Sequence, residues 1–346
     1  MHSQLTFFCE LDGPSLKKLF ESRFVYDDLK TLGASISLGI LDFSAERVEI
    51  VRKLNRLGIP VKAWLLLPKD EGYWFNMENH AKALQRYADF KTWSDEKGLV
   101  WSGIGLDIEP DINQMKDALS KPSSVLKKAL RRYLSKDVLK QARLAYRKLA
   151  VEIKDDGYFL EAYHFPFILD DRNAGSTVAQ RLGGLVDVPV DCEVMMLYSS
   201  LYQPLGNKIL WSYAAEAQAI GIGITGGGVV MDGLKAPKTL TWDEFATDLR
   251  LGWQTGKPVY VFSLEGCVEQ DFLPRLVTFD PSVAVSVPRT GLVRNARKGL
   301  GGILWLLERP FVLLAGLAGL VGAIVAIRSG KKREKGVKRN DPTTLQ

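Results

Sequence analysis

Cysteine and histidine are scarce in this chain, and no secretory leader is visible at its start. The 346 residues include three cysteines and three histidines. Cys9, Cys192 and Cys267 are odd in number and far apart, so they form no disulfide framework and match no zinc-ligand spacing. With so few histidines, neither a metal ion nor another cofactor is expected. The opening residues, MHSQLTFFCELDG, have no basic region followed by an apolar run, so no secretory signal is expected.

The body of the chain has no net positive charge, and the excess of basic residues is concentrated at the end of the chain. Residues 289–346 contain twelve Lys and Arg against three acidic residues, a net charge of +9, which leaves −3 for residues 1–288. Nucleic-acid binding needs a positive face on the folded part. We therefore expect no nucleic-acid partner. The composition, 46% hydrophobic and 25% charged, is typical of a globular chain with one large domain and an appendage.

A run of seventeen residues without charge, FVLLAGLAGLVGAIVAI, occupies residues 311–327. At about 1.5 Å per residue, a helix of that length spans about 26 Å, the short end of a bilayer core. Basic residues flank the run, and its glycines and alanines have the spacing that lets two membrane helices approach closely. The run predicts a single-pass transmembrane helix over residues 310–328, with a lipid bilayer as partner and a route to a homodimer. A buried helix of the globular domain is the alternative.

Two signals indicate the side of the membrane on which the large domain lies, and they disagree. Without a secretory signal, the large domain stays in the cytoplasm. Seven Lys and Arg after the run against five before it instead place the C-terminus there. The first signal is preferred by a narrow margin. The expected domains are a barrel over residues 1–285, a basic linker or interfacial segment over 286–309, the membrane helix over 310–328 and a basic tail over 329–346.

Eight short apolar runs alternate with amphipathic helical stretches over residues 1–270. This alternation is typical of parallel strands joined by crossover helices. Eight such units in about 270 residues have the size of a (β/α)8 barrel, the TIM barrel. An open doubly wound sheet is the competing fold, but no glycine-rich phosphate turn follows its early strands. The predicted strands cover residues 5–11, 34–41, 60–67, 103–109, 157–164, 193–199, 221–227 and 258–265.

Acidic and aromatic residues follow the predicted strands, at the end where such barrels carry their active sites. In the fourth strand, period-two alternation points Asp107 and Glu109 into the barrel, about 6.6 Å apart along the backbone. Like charges that close raise each other's proton affinity, so one group can stay protonated and act as a general acid. The alternative is that both bind a nearby Arg or Lys. The further candidate substrate-binding residues are Glu10, Asp12, Asp42, Trp74, Glu161, His164, Met196, Trp211 and Glu265.

The fourth and sixth strands resemble glycoside hydrolase family 18, the chitinases and endo-β-N-acetylglucosaminidases. In that family the fourth strand carries D-x-x-D-x-D-x-E and the sixth carries M-x-Y-D. Asp107 and Glu109 match the last two acidic positions of the first motif, and Met196 and Tyr198 match the second. The remaining acidic positions of the two motifs are occupied by Ser102, Gly105 and Ser199.

The resemblance implies a membrane-anchored glycoside hydrolase that cleaves a glycosidic bond in a carbohydrate substrate. Glu109 would protonate the glycosidic oxygen, Asp107 would orient the substrate's 2-acetamido group, and Tyr198 would hydrogen bond to that group. Glu161 or Glu265 could instead supply a nucleophile or base. Two other functions stay open: a catalytically inactive barrel that binds a glycan or a protein at the membrane, and a sugar isomerase or lyase that uses the same carboxylates as proton shuttles.

Overall fold

The computed structural model describes residues 5–112, 122–228 and 238–312, together with residues 315 and 323. Eight parallel strands close into a barrel in which each strand pairs with its sequence neighbours and the first pairs with the last. The predicted (β/α)8 barrel is confirmed, and the open doubly wound sheet is excluded. The strands are β1 Leu5–Cys9, β2 Ser35–Ile40, β3 Val61–Leu65, β4 Gly103–Asp107, β5 Leu160–His164, β6 Cys192–Met196, β7 Ala219–Gly223 and β8 Val259–Phe262.

Helices follow the strands and cover the outside of the barrel, and local capping fixes where several of them begin. The Ser44 side chain accepts a hydrogen bond from the backbone of Arg47, and Thr241 forms a capping box with Glu244. The described helices are Gly13–Leu19, Arg23–Thr31, Ala45–Arg56, His80–Lys97, Pro122–Tyr133, Lys136–Asp155, Phe167–Asn173, Val178–Gly183, Gly206–Ala214, Trp242–Gln254, Leu264–Glu269, Phe272–Val277 and Gly291–Glu308, with 3-10 turns at Lys69–Glu71 and Ser199–Tyr202.

Two hydrophobic layers hold the barrel together. The outer layer packs between the strands and the helices and includes Ile104 of β4. The inner layer fills the barrel with rings that include Phe8, Trp64 and Tyr163, and the Phe8 and Tyr163 rings meet edge to face at 4.8 Å. Tyr163 needs a small neighbour, because a Cβ on Gly105 would lie 2.1 Å from its hydroxyl oxygen. The period-two alternation of β4 points Gly105 into the barrel, and the missing side chain leaves room there for the ring of Tyr163 on β5.

The last described helix, Gly291–Glu308, packs against the outside of the barrel. Its final residue, Glu308, binds Arg181 and Lys136, each at 2.7 Å. Arg181 is 1% exposed, and an unpaired buried charge is costly in free energy, so the ion pair with Glu308 compensates the burial of this cation. Residues 286–309, predicted as a basic linker or interfacial segment, thus contain a helix that contacts the barrel, while the predicted domain boundaries stay predictions.

In the described parts of the chain, no helix has both the length and the apolar character that a membrane span requires. The helix Gly291–Glu308 has eighteen residues, but four of them are charged. The predicted single-pass membrane localisation is corrected by this finding, and a homodimer through a membrane helix has no support. Apart from residues 310–312, 315 and 323, the predicted span over residues 310–328 lies outside the described residues, as does the basic tail over 329–346.

Candidate active site

A cavity of about 220 Å³ lies at the carboxyl ends of the strands. Ligand pockets commonly measure about 300–1,000 Å³, so this cavity suits one small molecule. Among the described residues, no Lys, Arg or His lines the cavity, and its charged groups are all carboxyls. The lining residues are Phe8, Glu10, Trp64, Trp74, Asp107, Glu109, Tyr163, Phe165, Met196, Tyr198, Leu201, Ile224, Gly227, Gly228 and Phe262.

Three carboxyl groups reach this cavity from two strands. Glu10 directly follows β1, Asp107 ends β4, and Glu109 comes two residues later. Because β2 and β3 lie between β1 and β4 in the barrel, Glu10 approaches the cavity from a different side than the other two. Glu10, Asp107 and Glu109 are 8%, 2% and 9% exposed. Water therefore stabilises their charged forms poorly, and burial favours the protonated acids.

Burial favours the protonated form of both Asp107 and Glu109. Burial, and then the charge of Glu109, raises the pKa of Asp107 well above its ordinary value. Burial raises the pKa of Glu109 to about 8. Trp64 Nε1 donates to Asp107 Oδ2 at 3.1 Å, but no N–H or hydroxyl of the described residues donates to Oδ1. The hydrogen bond between the two carboxyl groups therefore requires a proton on one of them.

Glu10 is held from two directions. The Tyr73 hydroxyl donates to its Oε1. Burial raises the pKa of Glu10 to about 8. The hydrogen bond from Tyr73 lowers this pKa, whereas the charges of Glu265 and Asp107 raise it further. Glu265 lies behind Glu10 and accepts a hydrogen bond from the Glu10 backbone nitrogen at 3.2 Å. Burial raises the pKa of Glu265 to about 7. Glu265 thus orients the end of β1 and does not line the cavity.

Three more residues singled out in the sequence line the cavity: Trp74, Met196 and Tyr198. The Tyr198 ring packs 5.7 Å from the ring of Phe262, at the end of β8. Burial and the charges of the neighbouring carboxyls raise the pKa of Tyr198 well above its ordinary value. Its hydroxyl therefore stays protonated and can donate a hydrogen bond to a ligand.

Asp12 and Asp42 lie outside the cavity, in contacts that stabilise the fold. Asp12 begins the helix Gly13–Leu19 by accepting a hydrogen bond from the Ser15 nitrogen at 2.8 Å. Asp42 binds Arg47 at 3.1 Å. Although burial opposes it, the hydrogen bonds from Arg47 and Ser44 lower the pKa of Asp42 to about 2. Each of these carboxylates already has strong partners, which leaves little binding capacity for a substrate.

Glu161 lies inside the barrel but does not line the cavity. Lys62 Nζ is 2.5 Å and 2.6 Å from Glu161 Oε1 and the Tyr260 hydroxyl, and that hydroxyl donates to the same oxygen at 2.5 Å. The second carboxylate oxygen accepts a longer bond, of 3.3 Å, from the Tyr163 hydroxyl. The carboxylate is thus fully partnered within the barrel, as a structural ion pair requires.

His164 and Trp211 lie outside the barrel interior. His164 follows the inward-pointing Tyr163, so period-two alternation turns it toward the helices. It is fully buried, and its Nε2 atom lies 3.7 Å from a carboxylate oxygen of Glu193. Burial lowers the pKa of His164, so the ring stays neutral at physiological pH. Trp211 lies on the helix Gly206–Ala214 and faces a different cavity.

Sequence reasoning missed several residues in and next to the cavity. Trp64 could have been found, because alternation in β3 points it inward. Tyr73 gave no signal of its contact with Glu10, since a backbone φ of 63° carries the loop back to β1. Gly227 belongs to the run GITGGG and has φ of 76°, and a Cβ there would lie 2.4 Å from Glu265 Oε1. Glycine is therefore required where this loop approaches the carboxyls.

The part of the chain that the structure describes contains no group of three His, Cys, Asp or Glu side chains arranged to hold a metal ion. The sequence-based expectation of a site without metal or cofactor stays a prediction.

No protein-family model matches the sequence, and no curated protein matches it. Solved structures match it in fold. A mutant tryptophan synthase alpha-subunit from the hyperthermophile Pyrococcus furiosus is 13% identical, with a TM-score of 0.39, over 80% of this chain and 98% of that one. A xylose isomerase-like TIM barrel protein from Mycobacterium smegmatis in complex with magnesium is 12% identical, with a TM-score of 0.40, over 78% and 90%. An L-ribulose 3-epimerase is 12% identical, with a TM-score of 0.40, over 90% and 98%.

These comparisons correct the predicted membership of glycoside hydrolase family 18. No family model matches the sequence. The prediction of a membrane-anchored glycoside hydrolase, and with it the hydrolase and glycosidase class, is wrong. The residues give a reason, because three acidic positions of the two motifs are occupied by Ser102, Gly105 and Ser199. At these identities and TM-scores the likeness carries no argument about function, which has to be argued from the cavity itself.

Proposed function

We propose that the protein is an isomerase or lyase that moves a proton on a small, uncharged sugar. The observation that carries this proposal is the convergence of carboxyl groups from β1 and β4 on one small, aromatic-lined cavity. Proton transfer between carbon and oxygen needs a base and an acid held on different sides of the substrate. Glu10 and the Asp107–Glu109 pair supply that arrangement.

The two sets of carboxyls differ in a way that assigns their roles. The Tyr73 hydroxyl donates to Glu10 and so favours its ionised form, which suits the base that removes a proton from a carbon next to a carbonyl. Because burial raises the pKa of Glu10 to about 8, the fraction of this base that is ionised increases as the pH approaches 8. Burial raises the pKa of both Asp107 and Glu109, so this pair retains a proton at neutral pH, which suits the acid that protonates the carbonyl oxygen. The enediol formed in this way carries no net new charge. Return of the proton to the neighbouring carbon completes an isomerisation, and loss of a hydroxyl group as water completes an elimination.

The walls of the cavity indicate the substrate class. Trp64, Trp74 and Phe262 offer flat apolar surfaces, on which the C–H faces of a sugar can pack. Because no cation of the described residues lines the cavity and three carboxyls do, a phosphate group would meet no compensating charge there. A neutral sugar, with hydroxyl groups that can donate to carboxylates, fits this lining better than a sugar phosphate does.

Solvent exchange tests the proposal directly. The protein is incubated in D₂O with a panel of free aldoses and ketoses and their phosphates, with and without added Mg²⁺, and deuterium at carbon is followed by proton NMR. We expect exchange with at least one neutral sugar and none with the corresponding phosphate. Glu10→Gln and Glu109→Gln should each reduce the exchange rate by about 10²–10⁴-fold, the usual contribution of an acid or base.

The matched control is Glu152→Gln, which alters an exposed glutamate on the outer helix Lys136–Asp155 and should leave the rate unchanged. Circular dichroism of each variant separates loss of chemistry from loss of fold. Wild-type protein that binds sugars but exchanges no proton with any of them would favour the alternative of a catalytically inactive binding barrel. Exchange that survives both glutamate substitutions would contradict the roles given to Glu10 and Glu109.

A further inference from the structure

A second and larger cavity, of about 710 Å³, lies on the outside of the barrel and has no part in the proposed reaction. It is enclosed by the helix Gly291–Glu308 on one side and by the helices Phe167–Asn173 and Gly206–Ala214 on the other. Its volume is within the range of about 300–1,000 Å³ that is usual for small-molecule sites. The cavity is therefore large enough for a ligand of its own.

Charge in this cavity is distributed unevenly. Arg297 binds both of the carboxylates in the lining, at 2.8 Å from Asp170 and 2.6 Å from Glu216. Arg294 and Lys298 also line the cavity and are exposed, and no carboxylate of the described residues forms an ion pair with either. Since residues four apart share a helix face, both cations are available to the same ligand.

Two tryptophan rings and a glycine also line this cavity, and they are positioned to contact a ligand. Trp211 and Trp305 both line the cavity. The guanidinium group of Arg309 lies 4.7 Å from the centre of the Trp305 ring and holds that ring in place. Gly301 follows Lys298 by three residues and precedes Trp305 by four, so it lies on the same face. A Cβ there would meet no atom within 4 Å, so packing does not require a glycine at this position. Glycine also weakens a helix interior, so helix stability does not require it either.

We propose that this cavity binds an aromatic phosphate monoester, such as a mononucleotide, with the phosphate at Arg294 and Lys298 and the ring at Trp211 and Trp305. A phosphate monoester carries about −1.5 to −2 charges at pH 7, which matches two cations better than the single charge of a carboxylate does. Flat rings stack favourably on tryptophan. The site is separate from the barrel cavity, so it holds whether or not the proposed reaction is correct.

Calorimetric titration of the full-length protein with AMP tests the proposal, with adenosine and inorganic phosphate as the two half-ligands. We expect AMP to bind at least about tenfold more tightly than either half, because each half loses one set of contacts. Binding should also change the tryptophan fluorescence. Arg294→Gln combined with Lys298→Gln should weaken AMP binding by about tenfold for each cation removed and leave adenosine binding unchanged.

Two glycines of the same helix provide a matched pair of variants. Gly301→Leu fills the cavity, whereas Gly299→Leu adds the same side chain at a position that does not line it; neither meets an atom within 4 Å of its Cβ. Leucine favours the helix over glycine, so both variants should remain folded with an unchanged or higher Tm. We expect AMP binding to be lost in Gly301→Leu and retained in Gly299→Leu. Equal binding by both variants, or phosphate alone binding as tightly as AMP, would overturn the proposal.

Discussion

Replacing Glu10 by glutamine should increase the free energy of unfolding relative to the wild type at pH 8, but should change it little at pH 5. The pKa of Glu10 rises from 4.5 to about 8 on folding, so the unfolded chain loses this proton first as the pH increases. The free energy of unfolding of the wild type therefore falls by about 3–4 kcal/mol between pH 5 and pH 8 through this one group. Glutamine stays neutral throughout, and its carbonyl oxygen can still accept the hydrogen bond from Tyr73.

Urea unfolding of wild type and Glu10→Gln at pH 5 and pH 8 measures this difference. We expect similar stabilities at pH 5, where Glu10 is protonated in the folded protein, and a variant that is several kcal/mol more stable at pH 8. Glu152→Gln, at an exposed site, serves as the control and should show no such dependence. A stability difference between wild type and Glu10→Gln that is the same at both pH values would refute the reasoning. Glu10 would then titrate in the folded protein as it does in the unfolded chain.

Three further substitutions test the fold and the site. Gly105→Ala places a Cβ 2.1 Å from the Tyr163 hydroxyl and should lower the free energy of unfolding by about 1–3 kcal/mol; an unchanged urea midpoint would contradict this packing. Arg47→Met leaves three backbone carbonyls and a carboxylate without their buried donor and should cost about 3–5 kcal/mol in the same assay. Trp64→Phe removes the donor to Asp107, so the pKa of Asp107 rises further and the descending limb of the pH–rate profile should move up by about one pH unit; an unmoved limb would separate Asp107 from the acid step.

The fold could be predicted from the sequence because its signals are local. All eight predicted strands overlap observed ones, since each is a short apolar run bounded by turns. Except in the fifth strand, strand ends were placed too far along the chain, as in 258–265, where β8 ends at Phe262 and a helix begins at Leu264. The apolar run alone cannot show that change, because the Ser263 side chain caps the new helix and ends the strand.

The site could be predicted only in part, for a reason of geometry. Alternation along β4 correctly pointed Asp107 into the barrel, because period two is a property of a single strand. Position at a strand end did not separate Glu10, which lines the cavity, from Asp42, which pairs with Arg47 one helix turn later. That choice depends on which cation lies within reach across a loop. The contact between Glu10 and Tyr73 joins residues far apart in the chain and leaves no mark in either local sequence.

The barrel buries Glu161 and the three carboxyls of the cavity in different ways, and the contrast supports a functional role for the carboxyls of the cavity. Glu161 is compensated by Lys62 and two tyrosine hydroxyls, as a carboxylate that only stabilises a fold should be. The three carboxyls of the cavity have no cation among them in the described lining, and their burial makes the protein less stable at neutral pH. Apolar side chains in their place would remove that cost. A barrel that can bury an ion pair correctly, yet keeps three uncompensated acids at the end where barrels carry their active sites, is better explained by chemistry than by folding.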